Sequence, residues 1–302
     1  MNVVALEVGG AYIKGCALGS DGILRDRERW FTRPERGPDA VLETVLECAA
    51  TLAHRSRAVA AGIVVPGVVD DTSGSAVLAG ALGWRGMPVR GWAAEHLDMP
   101  VAFGHDVRAG GLAEARLGAG RASRNFLFVS VGTGIGAAWV LDGRVVPGSR
   151  GGAGELGHLV VRPGGELCHC GGRGCLETIA SSPAVGHRYS RLTKWRGVEA
   201  GELYHRADAG DTVARAVCTE AVEALAAALA TAVTLCAPDL LVIGGELGDA
   251  GRGRLAPLRD ALARRLTFQA IPEVLPAAFG DRSACMGAAL LAQDLRREVT
   301  AA

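Results

Sequence analysis

The sequence lacks an excess of charge of either sign. Lysine plus arginine and aspartate plus glutamate both number 32, so the formal net charge at neutral pH is zero. Proteins that hold nucleic acid along a general surface carry a surplus of basic side chains. We therefore expect no nucleic-acid partner. Lysine is scarce, with only Lys14 and Lys194, and the surplus of arginine, alanine and glycine is typical of a GC-rich genome.

Long hydrophobic runs are also missing. No uninterrupted apolar stretch reaches the roughly 20 residues that a helix needs to cross a bilayer. The longest candidate, 213–237, contains Arg215, Glu220 and Glu223 and is interpreted as a buried helix. The N-terminal MNVVALEVGG lacks the features of a secretory signal. The sequence therefore predicts a cytoplasmic protein with no membrane partner, whose eight cysteines are reduced.

Internal repeats and low-complexity linkers are not evident. The chain has 302 residues, 49% of them hydrophobic, which is enough for two lobes with sizeable cores. Buried-strand runs at 3–8, 59–65 and 126–131 alternate with amphipathic patterns such as 41–52, where apolar residues recur at helical spacing. This alternation predicts an α/β protein.

The most specific local pattern is a cluster of cysteines in a glycine-rich loop. Cys168, Cys170 and Cys175 follow His158 within a short stretch. Three thiolates and one imidazole complete a tetrahedral zinc site, and a site with no open position is structural. The alternative is a set of reduced thiols in a flexible loop. His169 is a possible competing ligand, but its neighbours already crowd the ion, so the predicted site excludes it.

Two glycine turns each lie between a pair of predicted strands. The first is Gly9-Gly10 and the second is the segment 132–136, which reads GTGIG. Turns of this kind expose backbone N–H groups that bind phosphate oxygens. Neither turn opens a helix, so neither fits the dinucleotide-binding fingerprint. Each alone is typical of an ordinary hairpin, but the two together indicate a split phosphate clamp.

A third glycine pair, Gly244-Gly245, closes the predicted strand 239–243. A glycine turn at the carboxyl end of a strand is a usual position for a nucleotide. A tight connection from strand to helix explains the same pair equally well.

Three acidic residues are candidates for chemistry. Asp106 lies where a strand ends and a helix begins, and a carboxylate there can accept a hydroxyl proton. The same position also suits a helix N-cap. Glu155 and Glu177 flank the cysteine loop, so a metal bound in that loop would hold both carboxylates at defined positions.

Taken together, these motifs resemble the ROK family (repressors, open reading frames and sugar kinases) over nearly the whole chain. The glycine turns match its two phosphate motifs in order, and the segment 242–245 looks like its adenosine motif. The segment 154–158, with the three cysteines and the segment 174–177, is similar to the family signature and zinc motif. The signature and zinc motif are the specific part of the resemblance.

The resemblance implies an α/β fold of the actin-like ATPase type (hexokinase-type, ribonuclease H-like), with two lobes around a central cleft that holds ATP and sugar. It implies a small lobe of residues 1–104 plus 284–302 and a large lobe of residues 105–283. Asp106 would be the catalytic base. Sugar contacts would come from His105, Glu155, His158 and Glu177, with a structural zinc on His158, Cys168, Cys170 and Cys175. ATP and Mg²⁺ would be bound by Glu7, Gly9, Gly10, Lys14, Gly132, Thr133, Gly134, Gly136, Gly244 and Gly245.

The chain departs from the family pattern at four positions. The first phosphate motif usually begins with aspartate and ends with threonine, whereas Glu7 and Ala11 stand here. Glu7 keeps a carboxylate near magnesium, but Ala11 loses a hydroxyl donor to phosphate. Family members usually carry asparagine where His105 and Ala81 lie. An imidazole cannot reproduce the donor-plus-acceptor pattern of an amide, so we expect a retuned sugar pocket.

The family also contains DNA-binding repressors, which carry a helix-turn-helix segment before the first phosphate motif. A strand begins at residue 2 here, so the sequence disfavours a repressor. Two hypotheses besides the hexose kinase stay open. One is a degenerate sugar-binding protein without transfer activity, suggested by Glu7 and Ala11, and the second is a kinase for a cyclitol or other polyol. Retention of Asp106 and of the second phosphate motif favours an active kinase.

The resemblance also bears on substrate and assembly. Glucose, phosphorylated on its 6-hydroxyl, is the usual family substrate. The changes at His105 and Ala81, with a composition typical of antibiotic producers, favour a modified hexose such as the amino sugar kanosamine (3-amino-3-deoxyglucose). Family habit predicts a homodimer formed through the large lobe.

Overall fold

A computed structural model of the protein describes residues 1–249 and 251–301, which form two compact units. Unit 1 comprises Met1–Ala113, Pro147–Ala153 and the C-terminal segment from Arg282. Unit 2 comprises Glu114–Val146 and Gly154–Asp281.

The elements follow in chain order within the described residues. The strands are β1 (Asn2–Val8), β2 (Tyr12–Gly19), β3 (Leu24–Phe31), β4 (Ala58–Val65), β5 (Val68–Asp70), β6 (Ser75–Ala79), β7 (Trp84–Met87), β8 (Val101–His105), β9 (Asn125–Val131), β10 (Ile135–Leu141), β11 (Arg144–Val145), β12 (Leu240–Gly244) and β13 (Glu273–Pro276). The α-helices are α1 (Pro38–Ser56), α2 (Val89–Leu97), α3 (Asp106–Arg116), α4 (Glu177–Ala180), α5 (Ser182–Leu192), α6 (Ala200–Asp208), α7 (Thr212–Cys236), α8 (Gly245–Asp249), α9 (Ala256–Ala263) and α10 (Ser283–Ala301). Short 3-10 turns lie at Pro34–Arg36, Gly80–Leu82, Ser149–Gly151, Leu156–His158, Arg252–Leu255 and Gly280–Arg282.

Unit 1 is built on a five-stranded sheet with the order β3-β2-β1-β4-β8. β4 pairs in parallel with both β1 and β8, and its residues from Ala60 to Val65 are buried. Such continuous burial is typical of a strand covered on both faces. Helices supply the cover, because α1 packs on β1, β2 and β4, while α10 packs on β1, β4 and β8. Pro38 occupies the first turn of α1, a position that suits proline because no backbone N–H is needed there.

A small three-stranded sheet, β5-β6-β7, completes unit 1 and is not predicted by the sequence. Its strands are three to five residues long, too short for a clear alternation of apolar residues. Trp84 on β7 is 1% exposed, and its indole N–H donates to the Pro38 carbonyl oxygen at 3.0 Å. The buried indole and this bond hold the small sheet against the start of α1.

Unit 2 is built on a second five-stranded sheet, with the order β11-β10-β9-β12-β13. β9 and β10 form an antiparallel hairpin, while β12 lies parallel to β9 with Gly244 opposite Ser130. The carboxyl ends of β9 and β12 therefore meet at one edge of the sheet. This register places the second glycine turn beside Gly244-Gly245.

Helix α7 is the long helix that the sequence predicts near 213–236. Its buried residues recur mostly every three or four positions, and it packs against α4, α5, α6 and α9. Helix α7 is also long and apolar enough to cross a membrane. The core helix of a globular protein often has the same length and composition. Packing on four helices of unit 2 buries part of the apolar surface of α7, while Leu235 near its C-terminal end is exposed.

Apolar residues in the segment 254–266 recur at helical spacing and predict a helix over that range. The observed helix is shorter, because α9 starts only at Ala256 with Pro257 in its first turn, after a 3-10 turn. Segments 105–113 and 147–153 lie in unit 1. The first of them packs closely on α10, since a Cβ at Gly287 of α10 would collide with the Ala109 carbonyl oxygen.

Candidate active site

In unit 1 the first glycine turn joins β1 to β2. Antiparallel pairing places Glu7 opposite Lys14, and the Lys14 Nζ lies 3.4 Å from the Glu7 Oε1. The Gly9 N–H donates to the Tyr12 carbonyl oxygen at 2.9 Å and closes the turn. A carboxylate and an ammonium group therefore lie together at the base of the turn.

Asp106 lies at the same edge of the unit 1 sheet as this turn. Parallel pairing places Glu7 of β1 opposite Val64 of β4, and His105 of β8 opposite Val65 of β4. The carboxyl ends of β1 and β8 therefore lie at the same edge of the sheet, one on each side of β4. As the first residue of α3, Asp106 accepts the Val107 N–H at its Oδ1 at 2.7 Å. Its side chain is 21% exposed, and within the described residues its Oδ2 accepts no hydrogen bond. One oxygen thus serves the helix start and the other is available for a ligand.

His105, the last residue of β8, is oriented toward Asp106. Its Nδ1 lies 3.3 Å from the Asp106 Oδ1 and 3.3 Å from the Arg108 backbone N. The imidazole is 11% exposed. Because these local contacts occupy Nδ1, His105 can offer a ligand only Nε2, one polar atom where an asparagine would offer two.

Arg108, two residues after Asp106, also belongs to this region, although no sequence motif indicates it. This arginine is 7% exposed, and its Nη2 donates to Asp71 Oδ1 and Oδ2, at 2.9 Å each. Its Nη1 donates to the Gly151 carbonyl oxygen at 2.6 Å. One guanidinium therefore ties the start of α3 to the turn after β5 and to segment 147–153. Nothing local in the sequence signals this, because the partners are 37 and 43 residues away.

In unit 2 the second glycine turn and Gly244-Gly245 share one edge of the sheet. Gly245 has a φ of +71°, and a Cβ there would collide with the Val131 carbonyl oxygen, so glycine is required. In the second turn, Thr133 and Gly134 are exposed, and their backbone N–H groups have no acceptor among the described residues. Ser182 donates through its hydroxyl to the Glu246 Oε2 at 2.9 Å beside this edge. Two amides free to bind an anion therefore lie next to the predicted adenosine motif.

The four predicted zinc ligands come together in unit 2. Ligand atoms of His158, Cys168, Cys170 and Cys175 all lie within 4.8 Å of one another. Cys168 is 3% exposed and Cys175 1%, while the Gly172 N–H donates to the Cys170 Sγ at 3.4 Å. Burial raises the pKa of the Cys175 thiol to about 12, so a nearby cation is needed for this thiol to ionise at neutral pH.

The distances within this cluster fit zinc. In a tetrahedral site with Zn–S bonds of about 2.3 Å and Zn–N bonds of about 2.0–2.1 Å, two sulfurs lie about 3.8 Å apart, and a sulfur and a nitrogen about 3.6 Å apart. The Sγ atoms of Cys170 and Cys175 are 3.7 Å apart, and the His158 Nδ1 is 3.6 Å from the Cys168 Sγ. The donor set is one that zinc prefers, and both spacings match.

Glu155 and Glu177 lie on either side of the cysteine cluster. The Glu155 Oε2 is 3.9 Å from the His158 Nε2, so Nδ1 faces the sulfurs while Nε2 faces a carboxylate. An acidic partner on the far ring nitrogen is a common arrangement for a metal-binding histidine. The Glu177 Oε2 accepts the Ile135 N–H at 2.7 Å, a contact that the sequence does not predict. His169 is 72% exposed, and its Nδ1 lies 3.3 Å from the Glu177 Oε1.

The structure thus gathers the predicted residues into two sets. The set in unit 1 comprises Glu7, Gly9, Gly10, Lys14, His105 and Asp106. The set in unit 2 comprises Gly132, Thr133, Gly134, Gly136, Glu155, His158, Cys168, Cys170, Cys175, Glu177, Gly244 and Gly245. Each set includes turns at the carboxyl ends of parallel strands, where α/β proteins bind ligands.

Known proteins resemble the chain over its length. A glucokinase of Halalkalibacterium halodurans is 30% identical, over 85% of this chain and 84% of that protein. A ROK hexokinase structure from Thermus thermophilus is 32% identical with a TM-score of 0.81, and the match covers 100% of both chains. A ROK family glucokinase from Streptomyces griseus, in complex with glucose and AMPPNP, has a TM-score of 0.90 at 26% identity and covers 97% of this chain and 100% of its own.

These likenesses confirm the expected actin-like α/β fold. The model of the ROK family matches residues 3–295, nearly the whole sequence. On this match and on the full-length structural similarity, the chain belongs to the ROK family.

Proposed function

We propose that the chain is an ATP-dependent sugar kinase that transfers the γ-phosphate of ATP to the 6-hydroxyl of a glucose-like hexose. The observation that carries the proposal is the position of Asp106 at the same sheet edge as the first glycine turn, with one carboxylate oxygen unoccupied by the described residues. A base and a phosphate-binding turn on one edge suit transfer to a hydroxyl group. The resemblance to sugar kinases over the full length supports the same activity.

The residues act mainly by positioning. Asp106 orients the sugar hydroxyl and takes its proton as the oxygen attacks the γ-phosphorus, and ADP leaves with the electrons of the broken P–O bond. In unit 2 the exposed amides of Thr133 and Gly134 bind phosphate oxygens. In unit 1 the Gly9-Gly10 turn is the proposed phosphate-binding turn. The Glu7 carboxylate and the Lys14 ammonium lie at the base of that first turn. Glu7 would hold Mg²⁺, which when bound neutralises charge on the phosphates.

We propose that zinc is the structural metal and that its ligands are His158, Cys168, Cys170 and Cys175. The ligand spacings support it, and a site with four protein ligands leaves no position for a substrate. The metal would hold the loop that carries Glu155, His158 and Glu177, the residues to which we assign sugar hydroxyls. His158 would serve both purposes, since Nδ1 faces the sulfurs and Nε2 lies on the opposite side of the ring.

An amino sugar such as kanosamine is the specific substrate we propose to test against glucose. His105 can offer a sugar one ring nitrogen, and Ala81 offers no polar side-chain atom. A pocket that lacks two amides should select less strongly for a sugar hydroxyl over an amino group, because fewer polar groups of the pocket would be left unpaired by the change. The experiment is a side-by-side assay of ADP release with glucose, kanosamine, mannose, N-acetylmannosamine and a cyclitol. If the protein releases ADP fastest with the cyclitol, its substrate is a cyclitol and not a hexose.

The alternative is a sugar-binding protein without transfer activity. The ion pair of Glu7 with Lys14, and alanine at position 11, favour it, because both reduce what the first turn offers to Mg²⁺ and phosphate. The same assay separates the two functions when paired with calorimetry. Sugar binding without ADP release for any member of the panel would overturn the kinase. We also propose a cytoplasmic location, as the sequence predicts.

A further inference from the structure

The carboxylate of Glu177 bridges two loops of unit 2. Its Oε2 accepts the backbone N–H of Ile135, the residue that follows Gly134 in the second glycine turn and begins β10, at 2.7 Å. Glu177 itself begins α4, two residues after Cys175. The side chain is 13% exposed, so the bond lies mostly out of water.

Glycines on both sides make room for this oxygen. A Cβ at Gly134 would lie 3.0 Å from the Glu177 Oε2, and a Cβ at Gly157 would lie 3.2 Å from the same atom. A Cβ at Gly157 would also collide with the Ile135 carbonyl oxygen. The Ala137 N–H donates to the Gly154 carbonyl oxygen at 2.7 Å, which holds the 154–158 segment along β10. The two loops and the carboxylate therefore pack as one assembly.

This contact determines which amides of the turn can bind a ligand. Ile135 uses its N–H on Glu177, and the Gly132 N–H donates to the Gly134 carbonyl oxygen at 3.0 Å. Thr133 and Gly134 lie between these two fixed positions, and their N–H groups have no acceptor among the described residues. Because both ends of the turn are fixed, these two amides are already oriented before a ligand binds. This reduces the loss of conformational entropy on binding.

We propose that Glu177 is a positioning residue for the nucleotide, in addition to its assigned sugar contact. It holds the second glycine turn in its phosphate-binding shape and connects that turn to the Cys/His loop. The inference rests on the proposed function, because it assumes that the turn binds the phosphates of ATP or ADP. The negative charge of Glu177 opposes phosphate, so the contribution must come from the hydrogen bond and not from the charge.

That distinction gives a direct test with ADP and no sugar present. Isothermal calorimetry should show ADP affinity about tenfold weaker in Glu177→Ala, which leaves the Ile135 N–H without an acceptor. Glu177→Gln keeps an acceptor oxygen and removes the charge, so its ADP affinity should equal or exceed that of the wild type. Glu155→Gln is the matched control, since Glu155 flanks the same loop and faces His158, and it should leave ADP affinity unchanged.

Steady-state kinetics add a second readout. Glu177→Gln should raise KM for sugar only, whereas Glu177→Ala should raise KM for both ATP and sugar. Metal content should stay that of the wild type in all three variants, because neither glutamate belongs to the proposed zinc site of one histidine and three cysteines. If Glu177→Ala does not fold, Glu177→Asp keeps the charge but is one methylene shorter, and it should weaken ADP binding where Glu177→Gln does not.

Wild-type ADP affinity in a folded Glu177→Ala or Glu177→Asp protein would overturn the inference and leave the kinase intact. Equal losses in Glu177→Gln and Glu177→Ala would also overturn it, because charge rather than the hydrogen bond would then be responsible. A wild-type protein that binds neither ADP nor ATP would overturn the proposed function and this inference together.

Discussion

At the scale of single residues, Asp106 carries the chemistry we propose. Loss of the base should affect turnover more than binding, because proton transfer is completed late in phosphoryl transfer. General-base catalysis typically contributes ~10²–10⁴-fold in rate, so kcat of Asp106→Asn should fall at least ~100-fold. Asparagine keeps an acceptor oxygen for the Val107 N–H, so α3 should still begin at the same residue.

The measurements for Asp106→Asn are kcat, sugar affinity and metal content, with the best substrate of the panel. Sugar affinity should change little, and metal content should match the wild type, because Asp106 and the Cys/His cluster lie in different units. Turnover near that of the wild type would show that another residue takes the proton, and the mechanism proposed for this chain would be wrong.

Arg108 is a second residue whose effect can be measured. Its replacement by glutamine removes bonds to both Asp71 oxygens and shortens the reach to the Gly151 carbonyl oxygen. Hydrogen bonds to charged groups contribute about 1.5–3 kcal/mol each, and Asp71 recovers part of that from water because it is 49% exposed. We expect Arg108→Gln to lose about 2 kcal/mol in free energy of unfolding.

Limited proteolysis tests whether Arg108→Gln loosens segment 147–153. Segment 147–153 contains Arg150, an exposed trypsin site, and it should be cut faster once Gly151 is released. Arg124→Gln is the matched control, because Arg124 is 85% exposed and its pair with Asp142 contributes little. Equal rates of cleavage in the two variants would show that Arg108 does not hold the segment.

At the scale of elements, local patterns could be predicted and long-range contacts could not. The glycine turns, the start of α1 at Pro38 and the strand-to-helix junction at Asp106 all depend on residue types within a few positions. The partners of Arg108 and Glu177 lie 37 to 43 residues away, and only the folded chain brings them together. The small sheet of unit 1 was missed for the same reason, because its short strands depend on pairing with each other rather than on internal pattern.

The loop between His158 and Cys175 is the element that depends most on a ligand. It has two isolated β-bridges, Val160 to Cys175 and Leu167 to Arg173, and its apolar side chains Leu159, Val160 and Leu167 are exposed. We predict about one zinc per chain, measured by metal analysis of protein purified without chelator. Cys175→Ser should lower both the melting temperature and the sugar affinity, because the segments carrying Glu155 and Glu177 lose their shared support.

The control for that variant is Cys48→Ser, a buried thiol of α1 in unit 1. Cys48→Ser should lower the melting temperature because it replaces a buried thiol with a hydroxyl group. Metal content and sugar affinity should stay unchanged. A metal-free wild-type protein that is folded and fully active would show that the loop is held by its glycine turns and β-bridges alone.

At the scale of the whole molecule, the homodimer that the family resemblance predicts through the larger lobe can be tested on exposed apolar residues of unit 2. Leu235 is 77% exposed and Phe268 is 84% exposed. A bond of 2.8 Å from the Gln269 Nε2 to the Thr234 Oγ1 brings the segments that carry them together. Exposed apolar side chains of this size, carried by two segments that contact each other, are where we expect a partner subunit to pack.

Light scattering at micromolar concentration should give twice the chain mass of 31.1 kDa for the wild type. Phe268→Asp should shift the protein toward the monomer, because burying an unpaired charge opposes association by several kcal/mol. Ile23→Asp is the matched control: Ile23 is 55% exposed and lies in unit 1, so its replacement should leave the mass unchanged. A monomeric wild type would refute the dimer. A dimer that persists in Phe268→Asp would place the interface elsewhere, since an aspartate buried in the contact could not be solvated.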